Sequence, residues 1–328
     1  MSWRKRLSSG GFVLSWSEVS GAFGDLGILL PLAVSLITVN GLSTTAVFFG
    51  IGTAYVLAGL FYRLPIPIQP LKAVTAIAIA YGLSSTVVIA AGWWMGLILL
   101  LLAITNAARW LERLFTRPVI RGIQLGLALL LVQSGLALAS RPQIVPGGEK
   151  RVLALSIGAV PVGWLIALPA MILLIWVLRR RKLPASLVVL GFGVAVAITQ
   201  GEAARALGRF HLGLALPRPA LPAPRDLLQA FILLVLPQLP LTLGNAVYAT
   251  TDTARCYFGT NAHRVTPRNL LTTMGIAQLI AALFGGVPIC HGSGGVTAHY
   301  RMGARSGTAP ILIGALCLFL ALFVDGNA

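Results

Sequence analysis

Apolar runs of around 20 residues recur along this chain from end to end, and that repetition constrains its fold more than any other feature. A helix of about 20 apolar residues matches a hydrocarbon core about 30 Å thick. Inside that core the backbone must satisfy its own polar groups, which a helix does. The composition agrees. The 328 residues are 57% hydrophobic and 10% charged, with a mean hydropathy of +0.88, whereas soluble domains carry about 25% charged residues. A soluble enzyme, a disordered tail and a secreted disulfide scaffold are all excluded. The expected class is an all-α polytopic membrane protein.

About eleven apolar segments are expected, near 11–38, 42–61, 67–83, 85–105, 119–139, 155–178, 184–200, 226–250, 269–286, 288–303 and 307–324. The first contains the glycine-rich break Gly21-Ala22-Phe23-Gly24-Asp25-Leu26-Gly27. The third and tenth are short for a crossing and open on Pro- or Gly-rich sequence. Backbone loosened in this way is tolerated only where it is buried in protein or lines a cavity.

The net charge of +17, from 25 Lys+Arg against 8 Asp+Glu, has two readings. A nucleic-acid partner needs a solvated basic patch, whereas here the charges sit in short connections between apolar runs. With the N-terminus in the cytoplasm, 17 of the 25 basic residues fall inside and seven outside, with Lys72 left within a segment. The positive-inside rule favours that orientation in the cell membrane, and no nucleic acid is implied. The basic flank Met1-Ser2-Trp3-Arg4-Lys5-Arg6 lacks a convincing cleavage site after it, so it reads as the lead-in to an uncleaved span. The three cysteines, Cys256, Cys290 and Cys317, show neither a CxxC spacing nor an even-numbered framework. No metal or cofactor is expected.

Two motif pairs recur at nearly one offset. Gly24-Asp25 resembles Gly244-Asn245, 220 residues on, and Pro67-Ile68 followed five residues later by Val74-Thr75-Ala76 resembles Pro288-Ile289 followed six later by Val296-Thr297-Ala298, with the prolines 221 residues apart. Seven spans separate the two starts, an odd number, so the copies are inverted across the membrane. Inverted repeats with interrupted helices mark secondary transporters and point to the binding site. The expected division is a first repeat over 1–225, with core spans 1–4 and gate spans 5–7, and a partial second repeat over 226–328, with core spans 8–11.

Inverted symmetry would bring the starts of the third and tenth spans together. A helix start leaves N–H groups unpaired and carries a partial positive charge, so two of them facing one cavity would form a site for a small anion. Gln69 and Ser293 add hydrogen-bond donors, Lys72 and His291 add charge, and Gly292 and Gly294 permit close approach. Asp25 lies in the break of the first span, with the neutral Asn245 as its counterpart. A carboxylate beside a dianion is repulsive unless protonated, which suggests proton coupling through Asp25. Blander roles stand beside these: packing glycines at 294 and 295, a snorkelling Lys72, a structural His291 and a helix-capping Asp25. Glu18 is a weaker candidate, and Asp252 reads as a surface ion pair with Arg255. An intramembrane serine protease using His291, Ser293 and His299 leaves the repeat and the paired helix starts unexplained, and a soft-metal site of Cys290, His291 and His299 is disfavoured because the first two are adjacent and point different ways.

Gly24-Asp25-Leu26-Gly27 with Pro31, Pro65-Ile66-Pro67-Ile68-Gln69-Pro70-Leu71-Lys72, and Pro288-Ile289-Cys290-His291-Gly292-Ser293-Gly294-Gly295 with Tyr300-Arg301 and Gly303-Ala304-Arg305-Ser306-Gly307 resemble the molybdate-transporter branch of the sulfate permease superfamily. The resemblance implies a seven-plus-seven inverted-repeat fold and import of molybdate, with sulfate as an alternative. The anion would lie between the starts of spans 3 and 10, held by Gln69, Lys72, His291, Gly292, Ser293 and Gly294 and lined by Asp25 and Asn245. Against that pattern the chain ends after span 11, so a partner chain or a homo-oligomer would complete the gate, or the protein is a truncated, non-transporting subunit. A nucleobase permease shares the repeat plan, but Lys72 and a glycine-lined helix start favour an anion.

Overall fold

A computed structural model describes residues 12–105, 107, 117–140, 162–180, 185–199 and 221–323. The protein is mostly helical. Helix α1, Trp16–Asn40, is capped by Ser15, whose Oγ accepts the Glu18 N–H at 3.3 Å. There follow α2 (Thr44–Tyr62), the two-residue strand β1 (Gln69–Pro70), α3 (Lys72–Tyr81), α4 (Ser85–Thr105), α5 (Arg117–Ser140), α6 (Val162–Arg180) and α7 (Ala185–Thr199). The rest is α8 (Pro224–Arg264), α9 (Pro267–Leu283), β2 (Ile289–Cys290), α10 (Ser293–Arg301) and α11 (Thr308–Phe323).

Among the described residues α1, α2, α4 and α8 are long and apolar enough to cross a membrane. In contrast, α3 and α10 have 10 and 9 residues, which at 1.5 Å per residue reach only about half of a bilayer core. Leu101, Ile104, Leu228 and Ile232 are exposed on the long helices. Apolar surface of this kind needs lipid to cover it.

The helices are held together by small residues that let backbones meet. On α2, a Cβ at Gly52 would stand 2.9 Å from the Gly314 carbonyl of α11, and one at Gly59 would stand 2.7 Å from the carbonyl of Gly307. On α4, Gly96 meets α9 at the Gly275 carbonyl, 3.1 Å from its Cβ position. Asn40, the last residue of α1, donates its amide to the carbonyls of Ala78 and Leu83 at 2.8 and 2.7 Å and so finishes α3.

Two expectations need correction. The first segment is not broken at its glycines. It stays helical and tightens into a 3-10 turn at Phe23–Asp25, because Gly24 is pressed against α10, its Cβ position 2.9 Å from the Ala298 carbonyl. The eighth segment does not stop near 250. Helix α8 continues through two π-helical stretches, Phe231–Val235 and Thr242–Ala249, to Phe258, and a kinked 3-10 turn, Gly259–Arg264, closes it. Pro237 and Pro240 lie between those stretches and lack the N–H groups that an α-helical ladder needs.

The basic connections that set the inside–outside count fall mostly at 4–6, 109–113, 141–151, 181–182 and 205–218. They lie outside the described residues, as do both chain ends. Asp252 and Arg255 are both exposed on α8.

Candidate functional site

Strands β1 and β2 pair antiparallel, Gln69 opposite Cys290 and Pro70 opposite Ile289. The Leu71 N–H donates to the Pro288 carbonyl at 2.9 Å and extends the ladder. Each strand runs straight into a short helix, so α3 and α10 begin side by side and lead away in opposite senses. Prolines at 67, 70 and 288 keep the approach extended, since each restricts its own backbone and that of the residue before it.

Three sequence-predicted residues converge at a fourth, Gly292, the cap of α10. A Cβ there would stand 3.2 Å from Gln69 Oε1, 3.7 Å from Lys72 Nζ and 3.8 Å from Asn245 Nδ2. Asn245 lies in the second π stretch of α8. Its Oδ1 accepts the Ser293 hydroxyl at 2.9 Å, which leaves Nδ2 as the end facing the others. No side chain caps the first N–H groups of α10. Beside this point a cavity of about 430 Å³ lies between α1, α3, α5 and α8, with Lys72, Asn245, Cys290, Gln238, Gln124 and Pro31 in its wall. Liquid water occupies about 30 Å³ per molecule, so the space suits a small hydrated ion.

Asp25 is fully buried behind this cluster. Tyr55 of α2 donates its hydroxyl to Oδ2 at 2.9 Å, and the Gln69 amide donates to Oδ1. Among the described residues Gln69 Oε1 has no hydrogen-bond partner. Asp25 is therefore a hydrogen-bonded carboxyl one side chain away from Gly292, not a simple helix cap. Glu18 is also buried, its Oε1 accepting the Arg305 N–H at 2.7 Å.

The glycines separate by role. Gly295 is a packing residue, with its Cβ position 2.6 Å from Pro67 Cβ and 2.8 Å from Asp25 Oδ1, whereas Gly294 is exposed and a Cβ there meets nothing within 4 Å. His291 turns away from the cluster. Its Nδ1 donates to the Pro67 carbonyl at 3.0 Å, and its Nε2 is hydrogen-bonded to the Thr273 hydroxyl at 3.1 Å, which is also bonded to the Tyr62 hydroxyl at 2.6 Å and the Leu270 carbonyl at 3.3 Å. A carbonyl can only accept, so Nδ1 holds a proton. Cys290 and His291 are neighbours on extended backbone, where side chains alternate; Cys290 lines the cavity, and His291 braces β2 from behind. His291 therefore corrects the expectation that its ring adds charge to the site.

Nor does the geometry favour the sharper enzyme readings. Ser293 is bonded to Asn245 rather than to a histidine. His299 donates from Nδ1 to the Gly21 carbonyl at 2.7 Å, away from both His291 and Cys290.

One important residue escaped the sequence reading. Gln238 of α8 is buried, and its Oε1 accepts the Ala73 N–H at 2.8 Å and the Val74 N–H at 3.3 Å. Thr242 fixes the other end of that amide, accepting from Nε2 at 3.0 Å. The start of α3 is thus capped from another helix, contrary to the expectation of two open starts. The position gave one signal, a lone amide between Pro237 and Pro240 in an apolar segment.

The fold and these motifs have known counterparts. The family model described as "Molybdate transporter of MFS superfamily" matches residues 17–131 and 230–327, well over half of the chain. Molybdate transporter 2 of Arabidopsis thaliana is 28% identical over 95% of this chain and 72% of its own length. Molybdate transporter 1 of Chlamydomonas reinhardtii is 28% identical over 96% of this chain and 79% of its own. Among solved structures, the transmembrane domain of the cyanobacterial bicarbonate transporter BicA superposes with a TM-score of 0.67 at 20% identity, covering 93% of this chain and 82% of that one. The superposition assigns the fold of a transmembrane transporter domain, and the chain, an integral membrane protein and not an enzyme, belongs to the molybdate transporter family.

Proposed function

We propose that the chain is a secondary active transporter that imports molybdate in preference to sulfate, holding the anion between the starts of α3 and α10. The observation that carries this reading is the convergence of Lys72 Nζ and Asn245 Nδ2 on Gly292 at an uncapped helix start. An ammonium, an amide N–H₂ and backbone N–H groups are donors, and a tetrahedral oxyanion offers only acceptors. Ser293 orients Asn245, and Gly294 leaves room for the ligand. Asp25, in contact with Gln69, is the proposed proton carrier. Names of the relatives supply molybdate as the substrate.

The transport cycle in this reading rests on inverted repeats over 1–225 and 226–328. Supporting it, Gln69 pairs with Cys290, at the same offset of 221 that relates Pro67 to Pro288. An antiparallel pair of that register has its two-fold axis through the strands. The contact of α2 with α11 likewise has its counterpart in that of α9 with α4, each sealed by glycines. Core helices α1–α4 and α8–α11 would form one body, and α5–α7 would move against it. The N-terminus would face the cytoplasm.

Uptake of labelled molybdate into proteoliposomes containing only this chain tests the proposal, with sulfate and uracil as competitors. Uptake inhibited by sulfate and not by uracil is expected. In the same assay Asp25→Asn should keep molybdate binding and lose the pH dependence of uptake. Failure to bind molybdate would contradict the reading, and binding without uptake would make the chain a non-transporting subunit.

A further inference from the structure

Gln69 is wholly buried between a carboxyl and the proposed anion position. Its Nε2 donates to Asp25 Oδ1. Its Oε1, without a partner, lies 3.2 Å from the Cβ position of Gly292, where Lys72 and Asn245 also point. A carboxamide has two ends of nearly equal shape and opposite polarity: the nitrogen gives two donors and the oxygen only accepts. An ionised Asp25 can only accept, so it holds the nitrogen end toward itself. The carbonyl oxygen then faces the ligand position, where it repels an oxyanion.

We infer that Gln69 is a positioning residue that converts protonation of Asp25 into anion affinity by turning its amide. A proton taken from solvent onto Asp25 Oδ1 makes that atom a donor. Gln69 then presents Oε1 to it and Nε2 to the anion. The O–H bond formed on Asp25 replaces one broken in a hydronium ion, one side-chain torsion turns, and the backbone stays in place. An acceptor facing the ligand has become a donor, and the formerly orphaned oxygen has a partner.

The surroundings of Asp25 fit this role. Tyr55 from α2 donates to Oδ2 and can do so in either protonation state, which directs the proton to Oδ1. The other titratable or charged groups facing it are Lys72 of α3, Cys290 of β2 and His299 of α10. His299 is anchored to the Gly21 carbonyl, and Glu18, on the same helix, is bonded to Arg305 N–H. Gln69 reaches from the carboxyl to the space at Gly292.

This inference rests on the proposed anion site, and the test separates the two. Labelled molybdate binding is measured on the purified full chain at pH values where molybdate remains a dianion. Wild-type affinity should fall as pH rises, by up to about tenfold per unit, the limit for one linked proton. Asp25→Asn, whose amide can donate to Gln69 Oε1, should bind at the tight, low-pH level throughout. Gln69→Met, similar in shape but unable to switch, should lose more than half of the wild-type slope. A wild-type slope retained in Gln69→Met would overturn the inference and assign the pH effect to direct repulsion by Asp25. A pH-independent wild type would also overturn it, and a wild type that binds no molybdate would overturn the site itself. Infrared difference spectra of the wild type give a check that needs no Gln69 variant. A protonated-carboxyl band absent from Asp25→Asn should appear on molybdate binding, and its absence contradicts the inference.

Discussion

At the start of α3, the N–H groups of Ala73 and Val74 point into the side-chain oxygen of Gln238, with Lys72 and Gln69 beside them. At the start of α10 the cap is Gly292, no side chain accepts the first N–H groups, and Gly294 is exposed. The two starts share a backbone plan, a two-residue strand running into a short helix, and are joined through those strands. Their chemistry has diverged. One half supplies the cation and the buried carboxyl, while the other supplies backbone donors and room. In the proposed site an anion between them would be held asymmetrically, by charge from one side and by a helix end from the other.

The contrast can be broken from either side. The largest effect is expected from Lys72→Ala, which removes the cation. Molybdate affinity should fall roughly tenfold to a hundredfold, the worth of a charge-assisted hydrogen bond of about 1.5–3 kcal/mol, as read by equilibrium binding. Next come the adjacent glycines of α10. Gly295→Ala forces a methyl against Pro67 and Asp25 and should cost about 1–3 kcal/mol of stability. Gly294→Ala, with open space around it, should stay within about 0.5 kcal/mol of wild type; thermal unfolding in detergent compares the two. Gln238→Ala makes the two starts alike by uncapping α3. With Ala73 and Val74 N–H groups released toward the cavity, molybdate should bind roughly twofold to tenfold tighter, as one neutral hydrogen bond of about 0.5–1.5 kcal/mol allows. Weaker binding would make Gln238 a ligand rather than a cap. The smallest change is expected from Ser293→Ala, which frees the Asn245 amide to turn and should weaken binding by a factor of about two to five.

The same contrast explains what could be read in advance. The paired starts were legible because a chain that stops being helical inside a membrane needs prolines and glycines to do so, and Pro67, Pro70, Pro288 and Gly292–Gly295 announce themselves. Asp25 was legible because a carboxyl in an apolar run is costly. His291 misled because its type suggests charge, whereas strand alternation points its ring toward Pro67 and Thr273. Gln238 was invisible in its role, since its partners lie 165 and 164 residues away. Tyr55 and Thr273 were missed for a similar reason: each is one of several polar groups on its helix, and only packing determines whom it meets. The glycine break of α1 was read as a gap because glycine weakens a helix. Here the residue is required instead by the close passage of α10 at Ala298.

The central claim is that the anion lies between the two starts, and molybdenum itself can report it. Crystals of the chain grown with molybdate and measured at the molybdenum absorption edge should show one strong anomalous peak within hydrogen-bonding distance of Lys72 Nζ and the first N–H groups of α10. A peak elsewhere in the chain, with that position holding only solvent, would contradict the account.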